Sequence, residues 1–225
     1  MKNILLITAA FGGNTKELVI EHSLSNNDYS FFKACYNDSN TQSRVNSLHP
    51  RLKGKIPKMM GWQDAPDFDY YIWVDSTFTI LDGFVEHMME FVNEDYDLFL
   101  FAHTKRNSIK DELDYINLKM SQGVKYMIDC YEGESINEQV ELYLSDETFI
   151  DNTLFAGGCF MYSNRLVQNK NYNMMTDWFL HNTLYSIQDQ LSLPYLIHKH
   201  QIKHKVYPHI LMKNNFLIHD FSMFF

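Results

Sequence analysis

The chain has 225 residues, 45% hydrophobic and 15% aromatic, which is ample for a packed core and too apolar for a disordered segment. A formal net charge of −9 argues against a broad surface that tracks nucleic-acid phosphates. Cys35, Cys130 and Cys159 are odd in number and lack CxxC spacing, which fits free thiols in a reducing cytoplasm.

The first run, MKNILLITAAFGG, is too short for a signal peptide or a membrane span and predicts a buried strand at 3–9. No other apolar stretch reaches the ~18 residues of a spanning helix. Gly12 and Gly13 then permit a tight turn or a close approach of backbone to ligand. A helix is expected over NTKELVIEHS, and a weaker strand at 29–35 beside the first. HPRLKGKIPKM places Arg51, Lys53, Lys55 and Lys58 within eight residues. Such a cluster is a solvated turn or a pocket for a diphosphate, and its position just ahead of the next strand favours the pocket. That strand, YYIWV at 70–74, delivers Asp75. An acid there is either a helix N-cap or the acid of a metal or phosphate site.

FTILDGFVEHMMEFVNE carries Phe84, Met88, Phe91 and Val92 at helical spacing. A strand at 97–102 ends in HTKRNSIKDE, a second polar cluster with His103, Lys105, Arg106, Asp111 and Glu112. These are site residues or surface ion pairs of little worth. SIKDELDYINLKMSQG predicts a helix stopped at Gly123, and INEQVELYLSDE another. A strand at 158–163 begins within the Gly157-Gly158 pair, which either lets a substrate lie against backbone or packs against a helix. After a helix over NYNMMTDWFLHNTL, SIQDQLSLPYL places Gln188, Asp189 and Gln190 between helical segments, with Pro194 interrupting the pattern. That triplet is carboxylate chemistry or a buried hydrogen-bond network. His198, His200, His204 and His209 match no metal motif and read as surface residues. His219 follows a short apolar run and is a metal ligand or a packed histidine.

No repeat or Pro/Gly-rich linker divides the chain, so one domain over 1–225 is expected. Alternating strands and helices predict an α/β fold, a mostly parallel sheet flanked by helices, with ligands outside the carboxyl ends of the strands.

Taken in order, TAAFGG, CYNDS, HPRLKGKIPKM, YYIWVDSTF, FAHTKRNSIKDE, FAGGCFMYSNR and SIQDQLSLPY resemble the plant TOD/MUCI glycosyltransferase-like family and its bacterial and viral relatives. The resemblance implies a GT-A, Rossmann-like domain binding a nucleotide sugar with Mn²⁺ or Mg²⁺. By it, Thr8, Ala9 and Phe11 line the nucleoside pocket, Asp38 lies near the base, and Arg51, Lys55 and Lys58 approach base and diphosphate. Asp75 takes the place of the metal-binding acid. Thr77 stands where the usual Asp-any-Asp motif has its second acid, and His219 resembles a C-terminal ligand completing the metal shell. His103 and Arg106 fall at the donor sugar, with Gly157, Gly158 and Gln190 on the donor side. Asp189 falls near the anomeric carbon, where an Ile-Gln pair replaces the usual basic lead-in.

The implied reaction moves a sugar, UDP-linked by preference, to a hydroxyl on a glycan, lipid-linked glycan, protein or modified nucleic acid, the last disfavoured by the acidic balance. Asp189 or Glu112 would take the acceptor proton in an inverting reaction, and Asp189 would stabilise or trap the anomeric cation in a retaining one. A non-catalytic nucleotide-sugar or carbohydrate-binding module, and a nucleotidyl- or phosphotransferase, are the alternatives. The pattern fixes no oligomeric state.

Overall fold

The computed structural model describes residues 1–12, 18–20, 28–92 and 95–219. Nine strands alternate with seven α-helices among these residues. The strands are β1 (Lys2–Ala10), β2 (Val19–Ile20), β3 (Tyr29–Asn37), β4 (Tyr70–Val74), β5 (Phe78–Ile80), β6 (Leu98–Ala102), β7 (Phe155–Ser163), β8 (His204–Val206) and β9 (Leu217–His219). The helices are α1 (Pro50–Met60), α2 (Phe84–Glu90), α3 (Ile109–Ser121), α4 (Lys125–Tyr131), α5 (Ile136–Leu144), α6 (Met174–Leu184) and α7 (Asp189–Lys199).

Six strands form the main sheet in the order β3-β1-β4-β7-β6-β8. β1 pairs in parallel with β3 and β4, β6 pairs in parallel with β8, and β7 runs antiparallel between β4 and β6. Five strands therefore share one direction, and the carboxyl ends of β1, β4 and β6 meet the start of β7 at one edge. A small sheet, β2-β5-β9, stands beside it.

Strand periodicity splits the core in two, because successive side chains point to opposite faces. Ile72 and Val74 of β4 pack with Ile4, Leu6, Phe99, Phe101, α2 and the small sheet. Tyr71 and Trp73 pack on the other face with Leu5, Ile7, Phe160, Met59, Trp178 and Leu196, from α1, α6 and α7. Covered on both sides, β4 is buried throughout, which is why it reads as an unbroken apolar run. A third cluster joins α3, α4 and α5 to α7.

Several elements differ from the sequence reading. The basic stretch is α1, begun by Pro50 at its first turn, where the missing N–H costs nothing. The helix expected after Thr77 begins only at Phe84, and Phe78–Ile80 is strand β5. α7 runs through Pro194 without interruption. Within the helix expected over NTKELVIEHS, Val19–Ile20 is a strand. The rest of that stretch, apart from Leu18, lies outside the described residues, as does Gly13.

Candidate functional site

α1 places Arg51, Lys55 and Lys58 at i, i+4 and i+7, one face of a helix. That face turns toward the carboxyl edge of the main sheet. There it meets Asp189, the first residue of α7. Lys55 Nζ lies 2.8 Å and Lys58 Nζ 2.5 Å from the same carboxylate oxygen of Asp189. Lys58 also donates to the Gly157 carbonyl at 2.7 Å and sits over the rings of Trp73 and Phe160. Two cations share one buried acid, and the local charge stays positive.

The electrostatic consequences differ for each group. Burial pushes the Asp189 carboxyl up, but Lys55 and Lys58 outweigh it and hold the acid well below the usual carboxylate range. Burial pulls Lys58 down, and Asp189 with Asp75 more than restores it. Lys55 loses the contest. Burial and the neighbouring Lys58 and Arg51 lower it to about 8, despite Asp189.

Asp75 leaves β4 on the opposite wall and is not a helix cap. Its backbone N–H donates to the Gly158 carbonyl at 2.8 Å, and its carbonyl accepts from Phe78 N–H in the turn to β5. Trp73 Nε1 donates to Asp75 Oδ1 at 2.6 Å, and Lys58 Nζ stands 3.9 Å away. The Asp75 side chain keeps 41% of its surface exposed, so it still faces the cleft.

The two glycines sit at an irregularity in β7. The β6 register jumps from Leu100 opposite Phe160 to Phe101 opposite Ala156, a bulge of the kind that re-aims a strand beside a site. A Cβ on Gly157 would lie 3.3 Å from both Asp189 carboxylate oxygens and from Lys58 Nζ. One on Gly158 would lie 2.9 Å from the Phe78 ring. His219 of β9 pairs across from Phe78 and packs edge-on to its ring.

These groups enclose a cleft of about 380 Å³ walled by Ala9, Phe11, Arg51, Lys55, Asp75 and Gln190, with Lys58, Thr77, both glycines, Asp189 and His219 also on its lining. A second cavity of about 220 Å³ shares Asp75, Gly157, Gly158, Gln190 and His219 with it. His103, Thr104, Leu211 and Met212 are among the other residues lining that second cavity.

Several residues named from the sequence do not line the first cleft. Thr8 is buried behind the cleft wall within β1. Asp38 accepts the Gly12 N–H at 2.9 Å and pairs with Lys53 at 2.6 Å, tying the turn after β1 to α1. Lys53 is thereby the one cation of its cluster directed at that turn. Arg106 pairs with Glu112 and packs over the Tyr115 ring. Glu112 is 3% exposed and lines neither cavity. Both its oxygens face donors, Arg106 and Gln188. His103 borders the second cavity, its pKa lowered by burial and by Arg106.

Gln188, named from the sequence in a polar triplet, bridges α3 to α7. Sequence reasoning missed Trp73, which orients Asp75. It also missed Tyr131, whose ring lies 5.1 Å from the Arg51 guanidinium, and the Leu211–Met212 wall. Both bridges join segments whose proximity only the fold creates.

Residues 43–221 match the family model described as TOD1/MUCI70, glycosyltransferase-like domain. The chain belongs to the TOD1/MUCI70 glycosyltransferase-like family. The matched stretch holds α1, Asp75, both glycines, Asp189 and His219, while β1, β3 and Asp38 precede it. No curated protein sequence matches the chain significantly. Among solved structures, it is similar to a glycosyltransferase involved in glycosylation of the major capsid of the virus PBCV-1, with TM-score 0.51 at 12% identity, covering 97% of this chain and 93% of that one. It is also similar to mouse xyloside xylosyltransferase 1 in its apo form, with TM-score 0.49 at 6% identity, covering 91% and 84%. Family membership and the likeness to the viral enzyme agree on a GT-A-type fold. No helix among the described residues is long and apolar enough to cross a membrane.

Proposed function

We propose that the cleft binds a nucleoside diphosphate sugar, a UDP-sugar by preference, and transfers the sugar to a hydroxyl acceptor. The observation that carries this reading is the pairing of a three-cation face on α1 with the open Asp75 across one cleft. Cations held rigidly in a partly dry site stabilise charge that develops on a departing diphosphate at no cost in reorganisation. Arg51 and Lys55 supply that charge directly. Lys58, enclosed by protein, braces Asp189 and the Gly157 carbonyl.

Among the described residues, no group of three or more His, Cys, Asp or Glu is arranged as a metal site. Asp75 and His219 nevertheless face the same cleft, and a hard divalent ion commonly takes one or two protein ligands and completes its shell with phosphate oxygens. That donor set fits Mn²⁺ or Mg²⁺ held by Asp75 and His219 together with the diphosphate, with Thr77 lining the same wall. Once bound, such an ion supplies further neutralisation of the leaving group. Asp189 serves as counter-ion to the two lysines, since a carboxyl held so low is a poor proton acceptor. The second cavity, which shares Gln190 with the first as a lining residue, receives the acceptor. Three free thiols suit a reducing, cytoplasmic setting.

The test is binding and turnover of a panel of UDP- and GDP-sugars with Mn²⁺ or Mg²⁺, following release of the nucleoside diphosphate. Donor binding with release of the nucleoside diphosphate is expected. Binding without turnover points instead to a non-catalytic module, and a folded protein that binds no nucleotide sugar removes the reading altogether.

A further inference from the structure

Behind the junction of the two cavities runs a chain of side chains whose hydrogen-bond polarity is fixed at both ends. At one end Glu112, buried on α3, is paired with Arg106 through Oε2 and accepts from Gln188 Nε2 at 2.9 Å through Oε1. At the other end Gln190 Nε2 donates to the Phe155 carbonyl at 3.0 Å. Between them Gln188 Nε2 donates to Gln190 Oε1 at 3.2 Å.

A carboxylate and a peptide carbonyl can only accept. Each therefore demands the nitrogen of the amide beside it. Gln188 must turn its NH₂ to Glu112, and that same nitrogen also meets Gln190. Gln190 must then present oxygen to Gln188 and nitrogen to Phe155. An amide nitrogen carries two hydrogens, and Phe155 takes one. The other remains for a further acceptor, and Gln190 is the one polar side chain of α7 that, with Asp75 and His219, borders both cavities.

We propose that Gln190 donates this N–H to a hydroxyl oxygen of the sugar being transferred, and that Glu112, acting through Gln188, is the positioning residue that imposes the donor orientation. The inference rests on the glycosyl-transfer reading of the cleft. It assigns specificity for a sugar oxygen to a side chain set apart from the cations that hold the diphosphate.

Glu112→Gln is nearly isosteric but breaks the polarity. Its oxygen would stay with Arg106, its NH₂ would face Gln188, and both following amides would be driven to flip. Gln190→Leu removes the donor directly. The experiment measures the dissociation constant of UDP, and kcat and KM for whichever of UDP-glucose, UDP-galactose or UDP-xylose the unaltered protein turns over. Both variants should leave UDP affinity within about twofold and raise KM for the sugar donor roughly tenfold, the scale of one lost hydrogen bond with an unpaired partner. A purely structural Glu112 would weaken UDP and UDP-sugar together, and that result overturns the proposal. Should Glu112→Gln fail to fold, Gln190→Leu decides, and an unchanged KM overturns the proposal. An unaltered protein that binds no nucleotide sugar overturns the glycosyl-transfer reading and this inference with it. Normal donor use with unaffected variants overturns this inference alone.

Discussion

Lys55 and Lys58 lean on one carboxylate, and the imbalance decides what each can do. Asp189→Asn would leave two buried ammonium groups without their counter-ion, a change expected to cost about 3–5 kcal/mol and readable as a large drop in denaturant midpoint. Lys55→Met should do the opposite. It removes the surplus buried charge, leaves the Lys58–Asp189 pair at 2.5 Å intact, and is expected to hold or raise the melting temperature while weakening UDP binding. The pH dependence follows from the same geometry. Lys55, lowered to about 8, is half neutral at that pH in the free protein, and an arriving diphosphate favours its charged form. Binding above pH 8 therefore takes up a proton, so UDP affinity should fall as pH rises from 7 to 9. For stability the sign is reversed. The depressed pKa means that charged Lys55 opposes folding below pH 8, and this cost is relieved as pH climbs toward the ordinary lysine value. Titrating UDP at several pH values in both proteins checks the binding slope, and a slope that persists in Lys55→Met would assign it to another group.

Among the elements, β7 does the most to shape the cleft, because its bulge brings two glycine carbonyls to Lys58 and to the Asp75 backbone. Gly158→Ala would place a Cβ 2.9 Å from the Phe78 ring, which is 2% exposed and supports His219. Displacing it should cost about 1–3 kcal/mol as overpacking and weaken any Mn²⁺-dependent gain in UDP affinity. Thermal denaturation and UDP titration with and without Mn²⁺ check the two effects separately, and a mutant with wild-type values for both would show that the ring yields freely. Strands buried on both faces were legible in the sequence, since β4 and β6 are bare apolar runs. α1 was not, because Gly54, Pro57 and four cations in one segment imitate a turn. It forms because Pro50 opens it and because Lys53 and Lys58 find acids contributed by other segments. β5, β8 and β9 have three residues each, too few for any period to show. Asp75 was singled out from its place at a strand end and Asp189 from its place between helical segments, whereas Gly157 and Gly158, expected at the start of a strand, lie inside β7. The Glu112–Gln188 bridge spans 76 positions, and no local pattern announces it.

At the scale of the whole molecule, the sheet separates two apolar layers, and several polar groups are held between helices without access to bulk water. Asp177 gathers Tyr172, Lys199 and His200, each at 2.8–2.9 Å, and so ties α6 to the end of α7. Its pKa is lowered because these partners outweigh burial, so its contribution is lost only as pH falls below the ordinary carboxylate range. Histidines act earlier. His181 joins Tyr143 at 2.6 Å on α5, and its pKa is lowered chiefly by burial. His87 stacks on Phe216 with His209 beside it, and its pKa is lowered by burial and then by His209, against a weaker pull from Glu90. His103 is lowered by burial and Arg106. All three stay neutral in the folded chain at pH values where an unfolded histidine is charged. The unfolded state then binds more protons below about pH 6.5, so stability must fall as pH falls through that window. Each histidine contributes at most about 1.4 kcal/mol per pH unit. The melting temperature should accordingly decline as pH falls from 6.5 to 5. His181→Gln, which keeps a polar partner for Tyr143 but cannot take a proton, should reduce that decline. Scanning calorimetry across pH 5–8 on both proteins decides it, and an unaltered melting temperature over the acid half of the range would mean that these histidines take up protons as readily folded as unfolded.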